Sequence, residues 1–108
     1  MKYLDYVNVR MGTDTSPRFS NGNTLPMTSL PFGMNNFLVE TRGHNPLEIF
    51  NADDRITTGI RLTHCSNRWL GDYGFLTFMP RSEGSKSGIC SPSSFVPEKT
   101  VMNPHELK

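Results

Sequence analysis

The chain has two cysteines, one tryptophan and no long apolar run. Cys65 and Cys90 could pair, but a disulfide framework needs more than one bridge, so a reduced cytosolic pair is the expectation. No stretch approaches the roughly 18 apolar residues of a membrane span, and Lys2, Asp5 and Arg10 stand where a signal peptide would be apolar. A cytoplasmic chain with no membrane partner is expected. Excess charge of either sign is lacking too. Eleven Lys and Arg oppose ten Asp and Glu, and the basic residues are dispersed, which argues against nucleic acid as a partner. Nine Leu, four Ile, five Val and seven Phe in 108 residues give a thin apolar complement, only slightly above the roughly 20% below which chains tend to be disordered. A single small domain of this kind leans on a partner surface or is a piece of something larger. Internal repeats, heptads, a long amphipathic helix, a Gly-rich phosphate loop leading into a helix and a Gly-x-Ser-x-Gly elbow are all missing. A mainly β class follows by elimination as well as by pattern.

The stretch 19–33 is dense in residues with special backbones: Asn21, Gly22, Pro26, Pro31 and Gly33. Asn-Gly favours a tight turn, proline fixes φ, and glycine can take dihedrals closed to other residues. Its remaining positions are Thr, Leu, Met, Ser and Phe rather than Lys and Glu, so it is a shaped loop on which something packs or in which something binds. Residues 3–9, rich in aromatic and β-branched types, predict a short strand. Further strands are expected over 34–39, 56–65 and 73–79. In the second of these Ile56, Thr58, Ile60, Leu62 and His64 share one face, and Thr57, Arg61, Thr63 and Cys65 the other. The segment 47–55 has no convincing period and is left unassigned. Residues 81–94 are polar and Gly/Ser-rich, predicting a mobile surface excursion. Residues 95–101 are expected to be extended, and 103–108 to begin a strand.

Between the two best strands lies an expected loop, 66–73, with Asn67, Arg68, Trp69, Gly71 and Asp72. The flat apolar face of Trp69 among polar neighbours suits a sugar ring, but it would serve equally as a plug for a thin core. His64 could line a cleft at the strand end or be an ordinary hydrogen-bonded histidine. Its neighbour Cys65 points to the opposite strand face, against a Cys-His nucleophile. The Cys and His spacings fit no zinc motif. Asp72 beside Gly71 could as well cap a turn. Glycoside hydrolysis needs two carboxyl groups flanking the scissile bond. Only Asp53 and Asp54 adjoin, so spacing nominates no catalytic pair and no metal ligands.

Six blocks nevertheless occur in a recognisable order: Gly-Thr-Asp at 12–14, Ser-Asn-Gly-Asn-Thr-Leu-Pro at 20–26, Leu-Pro-Phe-Gly-Met-Asn at 30–35, Gly-Ile-Arg-Leu-Thr-His at 59–64, Trp-Leu-Gly-Asp at 69–72 and Met-Pro at 79–80. In these the chain resembles the N-terminal part of glycoside hydrolase family 92, the calcium-dependent exo-α-mannosidases, in particular their Gram-positive-type α-1,2-mannosidase branch. The resemblance implies an incomplete β-sandwich, part of an N-terminal domain that packs on a larger (α/α)₆ catalytic domain within one polypeptide. It implies α-mannosides or mannose-containing glycans as substrate, with His64, Trp69, Asp72, Phe32 and Gly33 approaching the sugar. Gly12, Thr13, Asp14, Asn23, Thr24, Pro26 and Pro31 would shape the backbone of the pocket. It also implies that the catalytic carboxylates and most calcium ligands belong to the helical domain, so that this chain alone is inactive. Relatives of the branch tend to have Ser-Pro-Trp where this chain has Asn67-Arg68-Trp69, which puts a long cation beside the platform. A stand-alone carbohydrate-binding β-module using Trp69 is the alternative.

Overall fold

The computed structural model describes residues 3–13, 24–43, 49–64, 66–67, 70–81 and 92–108. Among these residues nine short strands follow in order: β1 (Asn36–Glu40), β2 (Ile56–Thr57), β3 (Gly59–Thr63), β4 (Ser66–Asn67), β5 (Gly71–Asp72), β6 (Phe75–Phe78), β7 (Ser93–Ser94), β8 (Met102–Asn103) and β9 (Glu106–Leu107). The chain is mainly β, as its composition and patterning predict. Among the described residues no helix is long and apolar enough to cross a membrane.

The frame is a three-stranded antiparallel sheet in the order β1-β3-β6. Its register places Phe37 opposite Leu62 and Leu62 opposite Leu76, while Val39, Ile60 and Phe78 form a second row on the same face. The other face carries Leu38, Arg61 and Thr77 in one row and Asn36, Thr63 and Phe75 in the next. An apolar-inside rule would bury the first face. In the structure Leu38, Arg61 and Thr63 of the second face are buried, whereas of the first face only Val39 is, and Leu76 and Phe78 are exposed.

The small core gathers Leu38, Val39, Ile49, Phe50, Phe95 and Met102, with Val9, Leu25, Met27, Ala52 and Leu107 packed around them. Phe50 and Phe95 meet edge to face at 6.1 Å, a geometry favoured by the ring quadrupoles. The segment after β1 folds back because Ile49 O accepts from both Thr41 N and Arg42 N. Arg42 then clamps Asp54 through Nε at 2.8 Å and a terminal nitrogen at 3.0 Å. On the other side of β1, Thr28 exchanges both backbone hydrogen bonds with Phe37 at 2.8 Å. The next two amides, of Ser29 and Leu30, donate to Pro104 O. The proline-bearing segment is thus held between the central sheet and the β8–β9 hairpin, and the Leu30–Pro31 peptide is cis.

Several expected elements differ. Residues 3–9 are no strand: a 3-10 turn closes over Leu4–Tyr6, through Tyr6 N to Tyr3 O and Val7 N to Leu4 O. Tyr3 and Tyr6 stand exposed, and the amides of Tyr6 and Val7 are satisfied locally rather than in a sheet. The long strand over 56–65 divides at Thr58, whose amide turns to Glu40 O at 2.8 Å and whose hydroxyl turns to the Glu40 carboxylate. β2 consequently pairs with β7, and only β3 joins the central sheet. Residues 66–73 contain a small hairpin, β4 with β5, rather than loop alone. The stretch 95–101 is interrupted by a second 3-10 turn, Pro97–Lys99, which a proline at its first position favours. Residues 103–108 do not start a lone strand but close a hairpin on β8, flanked by mutual Val101 and Lys108 backbone bonds. Most of the expected excursion, 82–91, lies outside the described residues.

Candidate functional site

Because β1 runs antiparallel to β3 and β3 to β6, the pairs Asn36–Thr63 and Thr63–Phe75 bring three connections to one end of the sheet. These are the turn before β1, with Phe32 and Gly33; the residue after β3, His64; and the approach to β6, with Asp72, Tyr73 and Gly74. Four of the sequence-nominated residues fall in these connections: Phe32, Gly33, His64 and Asp72. Trp69 itself lies outside the described residues, between β4 and β5. Phe32 is 74% exposed, and Met34, Leu70 and Tyr73 around the same connections are exposed as well. Phe32 O accepts from Asn35 N at 3.2 Å, closing the turn. Gly33 uses none of glycine's special dihedrals, and a Cβ there would meet nothing within 4 Å.

Behind this exposed end lies a buried ionic cluster that sequence reasoning did not find. The Arg61 side chain is 1% exposed and sits between two carboxylates. Its Nε donates to Glu40 Oε2 at 2.6 Å, and a terminal nitrogen donates to Asp72 Oδ2 at 3.0 Å. Three threonine hydroxyls complete the carboxylates' bonding: Thr58 donates to Glu40 Oε1 at 2.6 Å, Thr77 to Glu40 Oε2 at 2.9 Å, and Thr63 to Asp72 Oδ1 at 2.6 Å. The Phe75 ring lies over the guanidinium at 3.8 Å, a cation–π contact. Charges buried this far from water persist only when paired and hydrogen-bonded. Here the pairing runs along one sheet face from Glu40 at its far end to Asp72 beside His64. The Asp72 side chain is therefore turned inward, 1% exposed, with both oxygens engaged. The available signal was Arg61 alternating with Ile60 and Leu62, but nothing local said which strand face would be covered.

His64 is exposed, and its imidazole lies against the backbone of Gly74, where φ is +74°. The pocket-shaping residues form separate groups. Gly12 O accepts from Thr24 N at 3.3 Å, Thr24 Oγ1 donates to Met11 O at 2.8 Å, and buried Thr13 donates to Arg10 O at 2.7 Å. Pro26 is fully buried. Pro31 lines a different cleft of about 460 Å³, with Leu4, Asp5, Leu30 and His105. Asp14 and Asn23 lie outside the described residues.

Two exposed carboxyls are held below the ordinary range, and neither belongs to the sheet end. Glu98 is lowered first by a backbone N–H and then by Arg55, and Glu106 is lowered by Lys108. Among the described residues no three His, Cys, Asp or Glu side chains stand together in a way that could hold a metal ion. The carboxylates nearest the sheet end are occupied by Arg61 and threonines, so these residues do not fit a calcium cage.

A mainly β domain with a rigid charged interior and an exposed aromatic and imidazole rim at one sheet end has a close structural counterpart. The family GH92 inverting mannosidase BT2199 from Bacteroides thetaiotaomicron VPI-5482 superposes with a TM-score of 0.82 and 30% identity, over 96% of this chain and 14% of that one. The chain thus spans about a seventh of the length of that solved relative. A search of curated proteins found no match. The model of the glycosyl hydrolase family 92 N-terminal domain matches residues 6–104, and the chain belongs to that family.

Proposed function

We propose that this chain supplies the substrate-pocket part of an inverting, exo-acting α-mannosidase, with α-1,2-linked terminal mannose of glycans as substrate. In this reading residues 1–108 are part of an N-terminal β-domain that works against a helical catalytic domain of the same polypeptide. That second domain brings the catalytic carboxylates and the calcium ligands, so the chain alone turns over no substrate. The observation that carries the reading is the sheet end, where family membership coincides with an exposed imidazole, an exposed phenyl ring and the connection that contains Trp69. His64 would hydrogen-bond a sugar hydroxyl, and Trp69 and Phe32 would offer apolar faces to the ring's C–H groups. Gly12, Thr13, Asp14, Asn23, Thr24, Pro26, Pro31 and Gly33 would keep the surrounding backbone in shape.

A chimera tests this. Residues 6–104 replace the matching segment of the Bacteroides mannosidase, and hydrolysis of 4-nitrophenyl α-mannoside is followed. Activity is retained in the chimera, and His64→Ala lowers kcat/KM by about tenfold or more, the loss of one hydrogen bond in a dry pocket. An active chimera indifferent to His64→Ala would remove His64 from the site. Turnover or tight mannoside binding by the 108-residue chain alone, read by Trp69 fluorescence, would favour a self-sufficient carbohydrate-binding module.

A further inference from the structure

The connection from β3 to β6 leaves the sheet at His64 and returns through Asp72, Tyr73 and Gly74, and its two ends meet in two ways. The first tie is the Thr63 hydroxyl, which donates to Asp72 Oδ1 at 2.6 Å while Arg61 holds Oδ2 at 3.0 Å. The second is steric. A Cβ on Gly74 would lie 3.0 Å from His64 Cε1 and 3.9 Å from both ring nitrogens, on a backbone with φ +74°. A side chain at position 74 would therefore press on the imidazole as it stands, and its chain neighbour Thr63 is anchored by a carboxylate that is itself held by a buried arginine.

We propose that Asp72 and Gly74 are positioning residues: Asp72, held by Arg61, fixes the strand end that carries His64, and Gly74 leaves the space in which the His64 ring is oriented. Neither needs to touch the sugar. The functional weight of this rests on the reading that His64 meets the mannoside, but the positioning itself does not require a ligand. Glycine permits the positive φ of that turn without a steric cost, and a ring packed on that turn shares its placement. The same arrangement predicts that changes at Gly74 act through His64.

The test uses the complete 108-residue chain without sugar. The chain has three histidines. Their Cε1–H signals are resolved by heteronuclear NMR, and His64 is identified by the signal lost in His64→Gln. Gly74→Ala and Gly74→Asn both add a Cβ, but asparagine tolerates positive φ better than alanine. Both variants are expected to move the His64 signal by more than its line width and leave the His44 and His105 signals in place, with Gly74→Asn the less destabilised in urea. Thr63→Val, which removes the hydroxyl tie and keeps Arg61 on Asp72, should move the same signal. An unmoved His64 signal in Gly74→Asn overturns the role of Gly74, and an unmoved one in Thr63→Val overturns that of Asp72. Failure of the substrate reading shows elsewhere, as an active chimera indifferent to His64→Ala, so the two failures are distinguishable.

Discussion

Replacing Arg61 by methionine is the sharpest perturbation of this fold. The side chain is 1% exposed, and it is the cation between Glu40 and Asp72, whose side chains are 5% and 1% exposed. Arg61→Met keeps much of the volume, deletes the charge, and leaves two buried carboxylates facing each other's field with only threonine hydroxyls for support. Breaking a buried pair from one side costs about 3–5 kcal/mol, and the lost contact with Phe75 adds about 0.5–2 kcal/mol. Domains of this size hold about 5–15 kcal/mol in total, and so small a core places this one toward the lower end. With a urea slope of about 1–3 kcal/mol/M, the midpoint should fall by about 2 M, or the variant should be unfolded without denaturant. The control is the triple variant Glu40→Gln, Arg61→Met, Asp72→Asn, which removes all three charges and should recover a large part of the loss, because no uncompensated charge is then left buried. The reasoning is refuted if Arg61→Met shifts stability by less than about 0.5 kcal/mol, the range of ordinary surface substitutions, or if the triple variant is no more stable than the single.

Two further substitutions probe the frame. Leu38→Ala opens a cavity at a fully buried position of the central sheet and should cost about 2–5 kcal/mol in urea unfolding; a loss below about 1 kcal/mol would mean that the site collapses freely. Gly33→Ala should be silent in the same assay, within about 0.5 kcal/mol, since its Cβ meets nothing within 4 Å and its backbone is ordinary; a clear loss would show that the turn before β1 is tighter than it stands here.

Much of the β framework was legible along the chain. The alternation in 34–39, 56–65 and 73–79 marks the three strands of the central sheet, because side chains on a strand point alternately to opposite faces. The elements that were misread share one physical cause. Residues 3–9 carry good strand formers, but a strand needs an edge to pair with, and among the described residues this segment pairs with none. Thr58 sits inside an unbroken β pattern, yet its amide finds Glu40 O and its hydroxyl the carboxylate of Glu40, a partner 18 positions away. Pro97 was visible, and the turn it opens is local, but whether its flanks pair depended on what lay beside them.

The same division holds for the candidate site. His64, Asp72, Phe32 and Gly33 could be nominated from ordered blocks of sequence, and the register then brought their connections to one end of the sheet. Gly74 and Arg61 could not be nominated, because their parts are defined only by what lies across from them.

By itself, then, the sequence determined the class, the positions of the three central strands and the family, since composition, alternation and ordered motifs are properties of the chain. Only the tertiary structure decided which face of β3 is buried, that Asp72 turns inward to an arginine, and that His64 leans on a glycine ten residues later. Those are relations between segments distant along the chain, and pairing, burial and charge compensation exist only once the segments meet.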